Sequence, residues 1–170
     1  MRAPVTLVRA GGLALLASTL ACSAPGPTGP SERIRAFGPA DRPITQTSIA
    51  ADEGGWRVTR DGSGSVPLFE VADPGTEQAV LTYRARIKAA DVTGQAYLEM
   101  WVRLPGRGEF FSRGLHQPVR GTADWASYEI PFFLKQGERP DLVKLNVAFD
   151  GGGGTLWIKD IELLRSGLSG

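Results

Sequence analysis

The apolar residues of this chain recur with a period of two in short blocks, and no block from residue 44 onward sustains a helical period. In Ala96 to Leu104, Leu98, Met100, Val102 and Leu104 point one way, while Tyr97, Glu99, Trp101 and Arg103 point the other. Val80 to Lys88 repeats the pattern, with Leu81, Tyr83, Ala85 and Ile87 set against Thr82, Arg84, Arg86 and Lys88. In Leu142 to Asp150, Val143, Leu145, Val147 and Phe149 face inward, and Lys144, Asn146 and Ala148 outward. Further strands are expected at 56–59, 66–71, 127–133 and 155–164. The blocks are separated by Gly, Pro and Asp turns, in keeping with 22 Gly and 12 Pro in 170 residues. Alternation of this kind specifies an all-β chain, an antiparallel β-sandwich with one core.

Two local features refine that expectation. The turn at residues 90–94 should bring the strands 80–88 and 96–104 close to one another. Gly151 to Gly154 is followed by Thr155-Leu-Trp-Ile-Lys, which is strand, so the glycines read as a hairpin turn and not as a phosphate cradle before a helix. Near Lys159-Asp160 the alternation slips, which leaves the direction of Trp157 open and suggests a bulge.

The start of the chain carries an address. Arg2 and Arg9, an apolar run from Ala10 to Leu20, and small residues before Cys22 make a secretory signal over 1–21, too short to span a membrane. Ser18-Thr19-Leu20-Ala21-Cys22 resembles the lipobox of bacterial lipoproteins, with Thr19 in the slot that usually holds Leu. The resemblance implies lipidation of Cys22 and attachment to a membrane of the cell envelope. Ser23, where an acidic residue would retain a lipoprotein on the inner membrane, implies the outer one. Residues 22–43 read as a Pro/Gly-rich tether, 44–166 as the sandwich and 167–170 as a tail. A lone cysteine allows no internal disulfide.

Charge narrows the partners. The chain carries 19 basic and 18 acidic residues, and removal of the signal leaves 17 against 18, a net of −1. That balance gives no footprint for nucleic acid.

Asp124-Trp125-Ala-Ser-Tyr128-Glu-Ile-Pro-Phe132, Leu142-Val-Lys-Leu-Asn146-Val and Gly154-Thr-Leu-Trp157-Ile-Lys-Asp160-Ile-Glu-Leu163 occur in the order found in galactose-binding-like sandwiches. Over residues 80–165 the chain resembles that jelly-roll family, which includes many carbohydrate-binding modules. The resemblance implies a non-catalytic module that takes a glycan on a concave sheet face.

The residues expected on that face are Arg84, Tyr97, Glu99, Trp101, Arg103 and Asn146, with Arg86 and Lys144 beside them. An indole can cover the apolar face of a sugar ring while Arg, Glu and Asn bond its hydroxyls. The same side chains would also stabilise a plain exposed sheet, or dock a protein partner in a structural or assembly role. The segment 106–117, with Phe110, Phe111, Arg113 and the single His116, reads as a loop in which the paired phenylalanines plug the end of the sandwich or grip a ligand.

No cofactor is expected. One histidine without cysteine partners cannot build a zinc site. The family resemblance allows a structural calcium ion on Asp52, Glu53 and Asp160, residues that read equally well as turn and surface acids. Catalysis has little support: there is no Gly-x-Ser-x-Gly elbow, and the only carboxylate pair to assemble is Glu99 with Glu129 or Asp150.

Overall fold

The computed structural model describes residues 26–168, so the signal, Cys22 and residues 169–170 lie outside it. Nine strands follow in order: β1 (Pro27–Phe37), β2 (Ile49–Asp52), β3 (Gly55–Arg60), β4 (Gly64–Ala72), β5 (Ala79–Leu104), β6 (Gly108–Arg113), β7 (Val119–Phe133), β8 (Leu142–Asp150) and β9 (Gly154–Leu168). Every pairing is antiparallel.

The strands form one continuous sheet folded over on itself, with β5 as the fold line. Up to Ala90, β5 pairs with β9, and β7 runs along its other edge. From Gln95 onward it pairs with β8, and from Glu99 with β6. One half is therefore β7, β5, β9, then β3 with β2 and, farther along β9, β1; the other is β6, β5, β8 and β4. Inward residues of both halves of β5, Leu81, Tyr83 and Ile87 with Leu98, Met100 and Val102, join Val143, Leu145, Val147, Ile158 and Leu163 in a single core. The all-β sandwich read from the alternation is the fold observed.

The structure corrects the expected relation between the two blocks of β5. They are one strand passing from one half to the other, not neighbouring strands on one face. Asp91 (φ 53°) and Gly94 (φ 77°) lie in the left-handed region and the register shifts around them, so the chain bends across the sandwich without reversing. Side chains outward from residues 80–88 and from 97–103 consequently leave opposite sides of the molecule.

A second correction concerns the stretch 22–43 expected as a tether, because residues 27–37 of it form β1. This strand pairs with β9, bulges between Thr28 and Glu32, and delivers Phe37 into the core, where it stacks on Phe69 at 4.1 Å. Pro27 and Pro30 are tolerated because an edge strand leaves one row of N–H positions without a ladder partner. At the other end β9 runs through Leu168, beyond the expected boundary at 166. The slip near Lys159-Asp160 is a bulge: Asp160 has φ 52°, the register shifts between Arg84 and Arg86, and Trp157 faces outward.

Candidate functional site

On the half formed by β6, β5, β8 and β4, the antiparallel register lines up the outward side chains in rows. One row runs Arg113, Glu99, Asn146, Pro67; the next runs Phe111, Trp101, Lys144, Glu70. Alternation selects which residues face out, while the pairing of distant strands decides which of them meet.

Glu99 is the hub. Its side chain is fully buried, yet four donors reach it: Ser65 Oγ, Trp101 Nε1 at 2.8 Å and Asn146 Nδ2 at 3.2 Å on Oε1, and Arg113 Nε at 2.6 Å on Oε2. Burial alone would push this carboxyl up, but the bonds from Ser65, Trp101, Asn146 and Arg113 outweigh it and hold Glu99 below the usual carboxylate range. Ionised, it only accepts. It therefore fixes the Trp101 indole by its N–H edge and orients the Asn146 amide with its NH₂ toward the carboxylate. Asn146 Oδ1 is turned away, buried, and without a hydrogen-bond partner among the described residues.

Beside this hub lies an open groove of about 290 Å³ lined by Trp101, Asn146, Lys144, Glu109, Pro67, Glu70 and Ile44. Lys144 and Glu109 form an ion pair at 2.6 Å. Ile44 is held against the edge of β4 by its N–H on the Leu68 carbonyl at 2.9 Å, so the segment before β2 builds one wall. Phe111 extends the aromatic surface, its ring centre 5.0 Å from that of Trp101, with the Arg113 guanidinium 4.8 Å above it. The groove thus offers an apolar plane with charged side chains around it.

No protein-family model and no curated protein matches the sequence. Solved structures do match. The CBM22-1 xylan-binding domain of Paenibacillus barcinonensis Xyn10C superposes with a TM-score of 0.53 at 10% identity, over 82% of this chain and 97% of that one. A family 16 carbohydrate-binding module does so with a TM-score of 0.50 at 12% identity, over 74% and 92%. The chain has the β-sandwich fold of carbohydrate-binding modules. At these identities the likeness fixes the architecture of the sandwich, and its ligand must be argued from the site.

Of the residues expected on one face, the sandwich brings together Tyr97, Glu99, Trp101, Arg103, Lys144 and Asn146. Tyr97 is buried, and that burial raises its hydroxyl above the ordinary phenol range. Arg103 is held by Asp141 through two bonds, at 2.8 and 3.1 Å, which lower the Asp141 carboxyl; it stands outside the groove lining. Arg84 is not part of the site. It lies on the opposite side, paired with Glu162 at 2.7 Å, because residues 80–88 belong to the other half of the sheet. Arg86 goes with it.

The expected loop 106–117 contains β6, and the plug reading of its phenylalanines fails: Phe110 and Phe111 are 40% and 53% exposed. His116 is exposed in the turn after β6. Of the three acids considered for calcium, Asp52 is engaged by Trp157 Nε1 and Arg57 and Glu53 by Lys88, while Asp160 is exposed at the bulge; no metal-holding group of three or more such ligands occurs among the described residues. Glu129, on β7, lies in the other half from Glu99. Sequence reading missed Ser65 and Ile44 as parts of the site, and placed Arg113 in the separate candidate segment 106–117. Glu109-Phe-Phe-Ser-Arg113 does not alternate polar and apolar residues, and which strand it would join is not written locally.

Proposed function

We propose that this domain is a non-catalytic module that binds a carbohydrate in the groove above β5, β8 and β4. Trp101 lies against the apolar face of a sugar ring, and the polar side chains of the lining, Lys144, Glu109 and Glu70, hydrogen-bond its hydroxyls. A single coincidence carries the reading: an indole anchored at its N–H edge and three charged side chains line the same groove. Glu99 positions the indole from beneath and is not a ligand contact itself. The neighbour described as xylan-binding makes xylan the first probe.

In native affinity gels, xylan and other neutral polysaccharides should retard the protein, and Trp101→Ala should weaken that binding at least about tenfold through lost stacking and apolar burial. A folded parent that ignores the whole neutral panel, or a variant that binds as well as the parent, would sink the reading. In that case a protein partner at the same face becomes the better account. The exposed Phe110 and Phe111 along the edge strand β6 are the observation in its favour.

We further propose that lipid on Cys22 holds the domain at the cell envelope, on the outer membrane. With β1 starting at Pro27, the five-residue step from Cys22 reaches at most about 18 Å, so the sandwich would sit close to the bilayer. A clickable palmitate analogue should label the protein in cells and fail to label Cys22→Ala; equal labelling of both overturns the assignment.

A further inference from the structure

The opposite side of the sandwich holds two cations that have no ion-pair partner among the described residues. Arg86 and Lys159 stand directly across from each other in the β5–β9 pairing, an arrangement in which like charges repel. The cations around them have ion-pair partners: Arg84 pairs with Glu162, which Arg33 shares, Lys88 with Glu53, and Arg57 with Asp52, while Glu129 stands across from Arg84 on β7. Arg86 and Lys159 form no ion pair among the described residues. The adjacent Asp160 does not compensate them, since it sits exposed at the left-handed bulge. Both basic heads, together with Lys88, converge on one indole, with Arg86 Cζ 5.8 Å, Lys88 Nζ 5.8 Å and Lys159 Nζ 4.0 Å from the centre of the Trp125 ring. Ser127 is the register partner of Arg86 on β7, and the Trp157 ring, with Lys88 Nζ 4.6 Å from its centre, lies one step along β9.

Two uncompensated cations flanking an aromatic ring on a sheet face match an oxyanion carried on a sugar. We propose that this face is a second ligand site, which takes the carboxylate or sulfate group of an acidic polysaccharide between Arg86 and Lys159. The Ser127 hydroxyl is a further donor, and Trp125 and Trp157 flank the ring that bears the acid. An anion here relieves a cross-strand repulsion that the fold otherwise leaves standing. The site is independent of the groove, because the two faces leave opposite sides of the core and both can be filled at once.

The test is native affinity electrophoresis of the full-length Cys22→Ala chain in gels containing polygalacturonate or dextran sulfate, beside xylan gels and vesicles containing anionic lipid. One or both acidic polymers should retard the protein at low salt, and the effect should fade as salt is raised. Arg86→Gln and Lys159→Gln should each weaken it about tenfold, the loss expected for one charge-assisted bond. Both variants should bind neutral polysaccharide as the parent does and remain folded, because the relieved repulsion offsets the lost contact with the Trp125 ring. Failure of both acidic polymers to retard the folded parent, retardation unchanged in both variants, or retention by the vesicles alone would each overturn the proposal. Failure in xylan counts only against the groove.

Discussion

Glu99→Ala should destabilise the domain by about 3 kcal/mol or more, read as a lower urea midpoint with an unchanged slope. The substitution removes the acceptor of four bonds and leaves Ser65 Oγ, Trp101 Nε1, Asn146 Nδ2 and Arg113 Nε to find others. The Arg113 side chain is 36% exposed and can turn to water, but Asn146 is buried and Trp101 half-buried, so desolvated donors stay unpaired. Glu99→Gln keeps the volume and one acceptor. It should cost less stability and less groove binding than Glu99→Ala, because its one oxygen can take the place of Oε1 and keep Ser65, Trp101 and Asn146 while its NH₂ faces Arg113, which can turn to water. A variant with full stability and full binding would show that the hub positions nothing.

The same carboxyl predicts a pH dependence. Its folded-state pKa is lowered, so its contribution is fully present above the unfolded carboxylate value of about 4.3 and is lost as pH falls through the folded value. Glu138, lowered chiefly by the Lys135 N–H and also by Arg107, acts in the same direction. Urea midpoints should drop below about pH 4, and the drop should shrink in Glu99→Gln.

The second large effect is expected at the glycine run. An ideal Cβ on Gly153 would lie 2.1 Å from the Arg60 carbonyl oxygen and 2.7 Å from the Gly62 nitrogen, both backbone atoms that cannot swing aside. Gly153 also exchanges hydrogen bonds with Thr93, its carbonyl accepting from the Thr93 N–H at 2.8 Å and its N–H donating to the Thr93 side-chain Oγ1 at 3.1 Å. Gly153→Ala should therefore pry apart the turns at 60–62, 93–94 and 151–154 and cost about 3 kcal/mol or more, seen as a lower thermal midpoint or as failure to fold. Gly106 is the control: its Cβ would meet nothing within 4 Å, so Gly106→Ala meets only the strain of φ +71°, about 1 kcal/mol. Similar losses at the two sites would mean that the turns are not packed against one another.

Alternation in β5 and β8 was legible from residues alone, because inward Leu98, Met100, Val102, Val143, Leu145 and Val147 need only a period of two to meet a shared core. The same periodicity marked Trp101 and Asn146 as outward-facing, and the bulge at Asp160 announced itself as a slip in the pattern. Local pattern is silent on pairing. It could not show that β5 crosses from one half of the sheet to the other, which separates Arg84 and Arg86 from Trp101, nor that a Pro- and Gly-bearing segment docks on β9 and delivers Phe37 to the core. Nor could it show that Ser65 and Arg113, 34 and 14 residues from Glu99 in the chain, close on one carboxylate. Periodicity is a property of neighbours along the chain, so the sequence by itself determined the fold class and the outward side chains. Register between distant strands is set by how the whole sheet closes on its core, so only the tertiary structure decided which of those side chains form a site.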